Sequence, residues 1–179
     1  MLAATSAPAH AGGRHDGVVR SWLVGGALIE GPEGLLLVQN RRRNGRVDWS
    51  PPGGVIDEGE GLLEGLTREV EEETGLRVTE WQGPVYEIEA VAPGLGWSLQ
   101  VEVHRAVALE GDLVVDDPDG IVVDARYLAV DDCVGCLDDG HPWVREPLVE
   151  WLADPWERGR RFDFHIEGTD PASLTVSRR

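Results

Sequence analysis

A mixed-sheet α/β sandwich is the architecture the sequence predicts, on three observations. One segment, Leu62–Thr74, carries apolar residues at helical spacing and stops on a glycine. Five other segments alternate or run apolar at strand length. The helical segment lies among these strands, not after them, so helices must pack on a shared sheet.

Residues 1–20, rich in Ala, Gly, His and Pro, read as a disordered leader. Ala9-His10-Ala11 mimics a signal-peptidase site, but no basic segment and apolar stretch precede it, so a secretion signal is not expected. Order is expected from Ser21, with one domain over 21–155 and a C-terminal extension over 156–179. Ser21–Glu30 and Gly34–Gln39 are apolar runs separated by Gly31-Pro32-Glu33-Gly34, which reads as a hairpin-like pair of strands. A basic turn, Arg41 to Arg46, follows. Trp49-Ser50-Pro51-Pro52-Gly53-Gly54 is neither helix nor central strand, because two prolines fix φ and remove donors. Leu62, Leu66 and Val70 then recur at i, i+4 and i+8, and Gly75 supplies a left-handed stop. Val85–Val91, Ser98–Leu109 and Ile121–Val130 suit strands, with Asp116-Asp117-Pro118-Asp119-Gly120 as a turn. A last helix is predicted over Glu146–Ala153 with Pro147 in its first turn. Phe162, Phe164 and Ile166 alternate with polar residues as a late strand.

The chain's 179 residues suffice for one core. Acids outnumber bases 33 to 16, for a formal charge of −17, and every base is Arg. Without Lys there is neither a P-loop nor Schiff-base chemistry. The acidic balance argues against nucleic-acid and anionic-membrane binding, which need a basic footprint. A polyanionic substrate is compatible with such a protein only through intervening cations. No apolar run is long enough to span a bilayer, and two Cys make no disulfide framework, so the expected compartment is the cytoplasm.

The helical segment concentrates the chemistry. From Asp57 to Glu73, eight carboxylates face one base, Arg68. Glu69, Glu72 and Glu73, at i, i+3 and i+4, share a helix face, where like charges repel by a few tenths of a kcal/mol per pair. Acids are also disfavoured in the last turn by the helix dipole. Local physics makes the cluster a cost, and oxygen-rich clusters of this kind suit hard cations, Mg²⁺ or Mn²⁺.

The flanking order sharpens this. Gly54, five residues, Glu60, seven residues, then Arg68-Glu69-Val70-Glu71-Glu72-Glu73-Thr74-Gly75-Leu76 resembles the Nudix box at all nine of its specified positions. The surrounding strand order is similar to that family's α/β/α sandwich with a mixed sheet, from about Ser21 to Ala153. The resemblance implies metal-dependent hydrolysis of a nucleoside diphosphate linked to another group X. By position it implies Glu72 and Glu73 as metal ligands, Glu69 as ligand or base, and the Gly54 carbonyl completing the shell. Arg68 would hold the glutamates and Glu60 would support the loop. A base from outside the box is the alternative to Glu69, with Glu87, Glu89 and Glu102 as candidates.

Other features are weaker. Cys133-Val134-Gly135-Cys136 has zinc-like spacing, but no second ligand pair exists, and the motif is expected in an acidic loop, not opening a helix. The Asp117–Gly120 stretch fails as an EF-hand, whose last ligand would fall on Arg126. Arg41, Arg42 and Arg43 precede the active-site loop and are candidates to clamp phosphate, Arg43 foremost, or else form a solvated turn. Trp49, Trp81 and Trp97 are candidates to stack a base, against core packing; Trp143 and Trp151 read as core.

For the substrate, Ala92-Pro93-Gly94 is similar to the proline that marks ADP-ribose hydrolases of the family, without that subgroup's downstream Glu pattern. The Pro93-Gly94 turn and Trp97 favour a pocket for X, as in ADP-ribose or a nucleotide sugar. A MutT-like triphosphate pyrophosphohydrolase and a non-catalytic nucleotide-sensing module stay open. The partner is a small nucleotide, with neither nucleic acid nor membrane, and a homodimer is allowed.

Overall fold

The structure, a computed structural model, describes residues 20–157, 159–170 and 173–179. The expectation of a disordered leader thus lies outside the described residues, apart from Arg20. Strand β1 (Arg20–Leu28) opens a five-stranded sheet, joined by β5 (Arg77–Ala92), β6 (Trp97–Glu110), β8 (Arg160–Glu167) and β9 (Thr175–Arg178) in the order β1-β6-β5-β8-β9. The sheet is mixed: β1–β6 and β5–β8 are parallel, β5–β6 and β8–β9 antiparallel. A second sheet is built on β3 (Gly34–Arg41), which pairs antiparallel with β2 (Glu30–Gly31), β4 (Val47–Ser50) and β7 (Val122–Leu128).

The expected hairpin between Ser21–Glu30 and Gly34–Gln39 is therefore only partly present. The first run is divided: its main part enters the large sheet beside β6, and only Glu30 and Gly31 turn back on β3. The reason is burial on two sides. Leu35 and Leu37 pack into one core and Leu36 and Val38 into the other, and β1 is divided likewise, with Val24 and Leu28 opposite Ala27. Such strands read as unbroken apolar runs, which carry no information about their neighbour.

Helix α1 (Leu62–Thr74) has the predicted bounds and covers one side, where Leu66 and Val70 meet Ala27, Ile29 and Val78. Gly75 ends it at φ 72°, its N–H on the Glu71 carbonyl. The other side is covered by α2 (Val130–Cys136) and α3 (Pro142–Ala153), whose Cys133, Trp143, Leu148 and Trp151, with Leu137 just after α2, pack on Val101, Ile88 and Phe162. Helix α3 starts four residues before its predicted start, with Pro142 rather than Pro147 in the first turn. Helix α2 replaces the acidic loop expected around Cys133 and Cys136. The motif still does not open it, Cys133 being its fourth residue. The buried Cys133 thiol, donating to the Leu128 carbonyl, is pushed up to about 11 by burial. Among the described residues no helix is long and apolar enough to cross a membrane.

Two candidate features lie inside this framework. Trp97 is 6% exposed, its ring tilted against Trp22 and edge-on to Trp143. It is a core residue and presents no open face on which a base could stack. A Cβ on Gly94 would lie 2.2 Å from the Gly168 carbonyl oxygen, so Gly94 abuts the backbone after β8, while Pro93 and Gly94 both stay exposed.

Candidate active site

Beyond Ser50 the chain leaves β4 and lies along the outer edge of β1. Gly25 N–H donates to the Gly54 carbonyl (2.9 Å), Ala27 N–H to that of Pro52 (2.8 Å) and Ile56 N–H to that of Leu23 (2.9 Å). Gly53 sits at φ 137°, and a Cβ there would come within 2.2 Å of the Gly25 carbonyl oxygen. Only glycine allows this approach, so the double glycine seats the loop. Its N–H donates to Glu73 Oε2 at 2.8 Å.

Glu73 is 4% exposed on the sheet-facing side of α1, next to the fully buried Thr74, whose hydroxyl donates to the Val70 carbonyl at 2.6 Å. Burial pushes the Glu73 carboxyl up to about 7, against the Gly53 N–H, which favours its charged form. The neighbouring Glu69 raises it further.

Arg68 organises the flank of α1 that faces the loop. Its Nε and Nη2 donate to the two oxygens of Glu60 at 3.0 and 2.9 Å, and Nη1 donates to Glu69 at 2.8 Å and Glu72 at 3.5 Å. The fork–carboxylate geometry is the strong form of this pair. It holds the Glu60 carboxyl below the usual carboxylate range. The sequence-predicted Glu60, Arg68, Glu69 and Glu72 are thus brought together, with Glu73 on the adjacent, buried side.

Among the described residues no three His, Cys, Asp or Glu side chains form a ready metal-holding cluster. Arg68 engages one oxygen of Glu69 and one of Glu72, and Gly53 engages one of Glu73. The donor set nonetheless fits a hard cation. It is all oxygen, it combines carboxylates with a backbone carbonyl, and Gly54 O keeps a second lone pair beyond its bond to Gly25. The buried Glu73 also gains more from a neighbouring positive charge than an exposed carboxylate would.

The proposed outside bases stand on the face of the large sheet that α1 covers. Glu102 is the β6 partner of Gly25, whose N–H donates to the Gly54 carbonyl and whose own face meets Leu66. Glu87, Glu89 and Glu102 line one cleft with Leu23 and Arg161. Glu87, Glu89 and Glu102 stand side by side on β5 and β6, where Glu89 pairs with Arg161 and Glu102 meets His104 Nε2 at 3.2 Å. On that side of α1, Thr67 accepts from Trp81 Nε1 at 3.0 Å, which fixes Trp81 as a packing residue.

A second feature adjoins the loop. Arg42, Asp48, Trp49, Ser50, His141 and Trp143 line a small cleft. Arg42 grips Asp48 through Nε and Nη2, both at 2.6 Å. His141 stacks on Trp143, with centroids 4.3 Å apart and planes 7° from parallel. Burial, reinforced by Arg42, lowers the His141 imidazole to about 4. Trp49 is where a stacking ring was expected, but the arginine in the cleft is Arg42, while Arg43 stands exposed on the β3–β4 turn. Sequence reasoning passed over Asp48 and His141. The available signal was an acid six residues from Arg42 and a His set directly before Pro-Trp at a helix start.

A family model described as NUDIX domain matches residues 22–152. The fold is similar to the Mutator MutT protein from Bacillus halodurans (22% identity, TM-score 0.62, 87% of this chain and 97% of that one). It is also similar to the MutT protein from Methanosarcina mazei Go1 (19%, 0.61, 75% and 94%). An ADP compounds hydrolase superposes as well (17%, 0.58, 75% and 72%). No curated protein matches the chain.

Proposed function

The chain belongs to the Nudix family, and from that premise we propose a divalent-cation-dependent pyrophosphohydrolase that cleaves a phosphoanhydride of a nucleoside diphosphate linked to a further group X. The observation that carries this reading is the arrangement on α1: Glu60, Glu69 and Glu72 around Arg68, with Glu73 buried beside the Gly53–Gly54 turn. Glu69, Glu72, Glu73 and the Gly54 carbonyl are the groups that would hold Mg²⁺ or Mn²⁺. When bound, the cation supplies neutralisation of pyrophosphate charge that a protein of net −17 otherwise repels. Arg68 orients Glu69 and Glu72, and Glu60 holds Arg68 in place. Glu69 takes the proton as water attacks phosphorus: a P–O bond forms to water, the bridging P–O bond breaks, and the leaving phosphate carries its electron pair.

ADP-ribose and nucleotide sugars represent this class, with a sugar as X. A triphosphate, with phosphate in place of X, is the second reading. It is favoured by the burial of Trp97, which takes away the aromatic face considered for a pocket that holds a larger X. A cytoplasmic setting and a lack of nucleic-acid and membrane partners accord with the charge.

The test is turnover of ADP-ribose, nucleotide sugars and triphosphates, with products separated by chromatography, in Mg²⁺ or Mn²⁺ and in EDTA. Cation-dependent release of a nucleoside monophosphate is the expected result. The nature of the second product separates X from a triphosphate, and no turnover on any nucleotide would leave the nucleotide-sensing module as the better reading.

A further inference from the structure

The α1-facing side of the large sheet extends past the helix. Beyond the ground that Leu66 covers at Gly25, strands β1, β6, β5 and β8 leave a cleft of about 110 Å³. One water needs only about 10–15 Å³, so the cleft has room for a group of several heavy atoms. Its walls include Leu23 of β1, Gln100 and Glu102 of β6, Glu87 and Glu89 of β5, and Arg161 of β8. Strand β8 lies beyond residue 152, where the family match ends, so the C-terminal extension supplies one wall.

Position ties the cleft to the loop. Glu102 is the register partner of Gly25, and Gly25 holds the Gly54 carbonyl. Loop, β1 and β6 follow one another at strand spacing, about 4.8 Å each, which puts the Glu102 backbone about 10 Å from Gly54. Glu87 stands one strand further on. A phosphate held at the loop and the group joined to it can therefore occupy loop and cleft together.

The walls restrict what that group is. Three carboxylates face one guanidinium, which is already engaged, Nη2 with Glu89 and Nε with Asp163 at 2.9 Å. The cleft thus carries surplus negative charge and is rich in acceptors, since an ionised carboxylate donates nothing. A terminal phosphate entering it meets like charge. A base finds nothing to stack on, because among the described residues no aromatic ring lines the cleft. A neutral ring of hydroxyls brings donors to the carboxylates, and the Gln100 amide both donates and accepts. Leu23, 36% exposed, offers apolar surface to the carbon face of such a ring.

Resting on the reading that the protein cleaves a phosphoanhydride, we propose that this cleft seats X, that X is an uncharged sugar, and that Glu87 and Glu89 select it against the terminal phosphate of a triphosphate. Both residues act twice: they accept from sugar hydroxyls, and they repel a phosphate in the same place.

Two measurements on the full chain test this. The first needs neither metal nor turnover. In EDTA, ribose and glucose are titrated against amide NMR spectra, with inorganic phosphate as the control. A sugar should shift the amides of residues 87–89 and 100–102, and phosphate should not. The second compares kcat/KM for ADP-ribose and ATP in wild type and in Glu87→Gln/Glu89→Gln. Wild type should prefer ADP-ribose. In the variant ADP-ribose should fall about tenfold, through KM, while ATP rises severalfold. A merely structural role would lower both together. Phosphate shifting the same amides, ATP as the better wild-type substrate, both substrates changing alike in the variant, or no sugar-induced shift in a chain that hydrolyses nucleotides would overturn the inference and leave the hydrolase reading standing. Sugar-induced shifts at these amides in a chain that hydrolyses nothing would support the sugar cleft and remove the hydrolase reading.

Discussion

Gly53 donates its backbone N–H to the carboxylate of Glu73 across 20 positions of sequence. The bond ties the start of the loop to the end of the helix, so the Gly54 carbonyl and the helix carboxylates are held as one unit. Glu73→Gln keeps an acceptor for Gly53 and removes the charge. Activity should fall by at least about 100-fold, with a melting temperature within a few degrees of wild type. Near wild-type turnover at saturating Mg²⁺ would remove Glu73 from the ligand set.

Divalent cation alone should stabilise the fold. Glu69 and Glu72 share one guanidinium, and Glu73 is buried next to Glu69. A ligand that binds only the folded chain at 100 times its dissociation constant contributes about 2.7 kcal/mol. Millimolar MgCl₂ or MnCl₂ should therefore raise the melting temperature by several degrees, and NaCl of equal ionic strength by much less. Equal shifts would mean screening rather than a site.

His141 should make the fold acid-sensitive. Its pKa is about 4 in the folded chain, through burial first and then Arg42, with Arg46 adding to the lowering and Asp48 opposing it. A free imidazole titrates near 6.5. The depressed group favours folding in its neutral form, so its contribution is complete above pH 6.5 and is lost as pH falls toward 4. The difference amounts to roughly 2–3 kcal/mol. Glu73, raised by burial, works in the opposite sense, since its protonation favours the fold. Comparing His141→Gln with wild type isolates the histidine: in urea titrations from pH 7 to 4.5, the variant should lose less stability. Parallel losses would show that His141 is not the group responsible.

Two of the three tryptophans considered for base stacking, Trp97 and Trp49, should separate cleanly. Trp97→Ala removes a buried ring from among Trp22 and Trp143 and should cost about 3–5 kcal/mol of stability. Trp49→Ala opens a half-buried cleft wall, and should weaken nucleotide binding severalfold with a much smaller effect on stability. Thermal melts and binding titrations of both variants check the assignment. A Trp97 variant that melts like wild type but binds poorly would reverse it.

What the sequence made legible, and what it did not, divides along the range of the interaction concerned. Helix α1 was readable to both ends, because apolar spacing and a left-handed glycine act within a turn or two of the chain. The box was readable because fixed spacing around a helix sets Glu60, Arg68, Glu69 and Glu72 together. The partner of β1 was not readable, since a strand buried on both faces has no polar side to mark its neighbour. Nor was the choice within Arg41-Arg42-Arg43: adjacent residues point to opposite sides, and which side closes on Asp48 depends on β3–β4 pairing. Helix α2 was hidden by its length and by acids and a glycine that favour turns in isolation.

The loop along β1 has a consequence for how the molecule fails. Strand β1 is the last strand of its sheet on that side, and residues 52–56 supply the hydrogen-bonding partners that a further strand would otherwise provide. Should that loop detach, the apolar stretch Val24–Leu28 is left with an open row of amides and carbonyls, a template on which another chain can assemble. The residues that seat the site are thus also its seal against self-association, and an insertion that enlarged the loop for a new substrate would put solubility at risk together with catalysis.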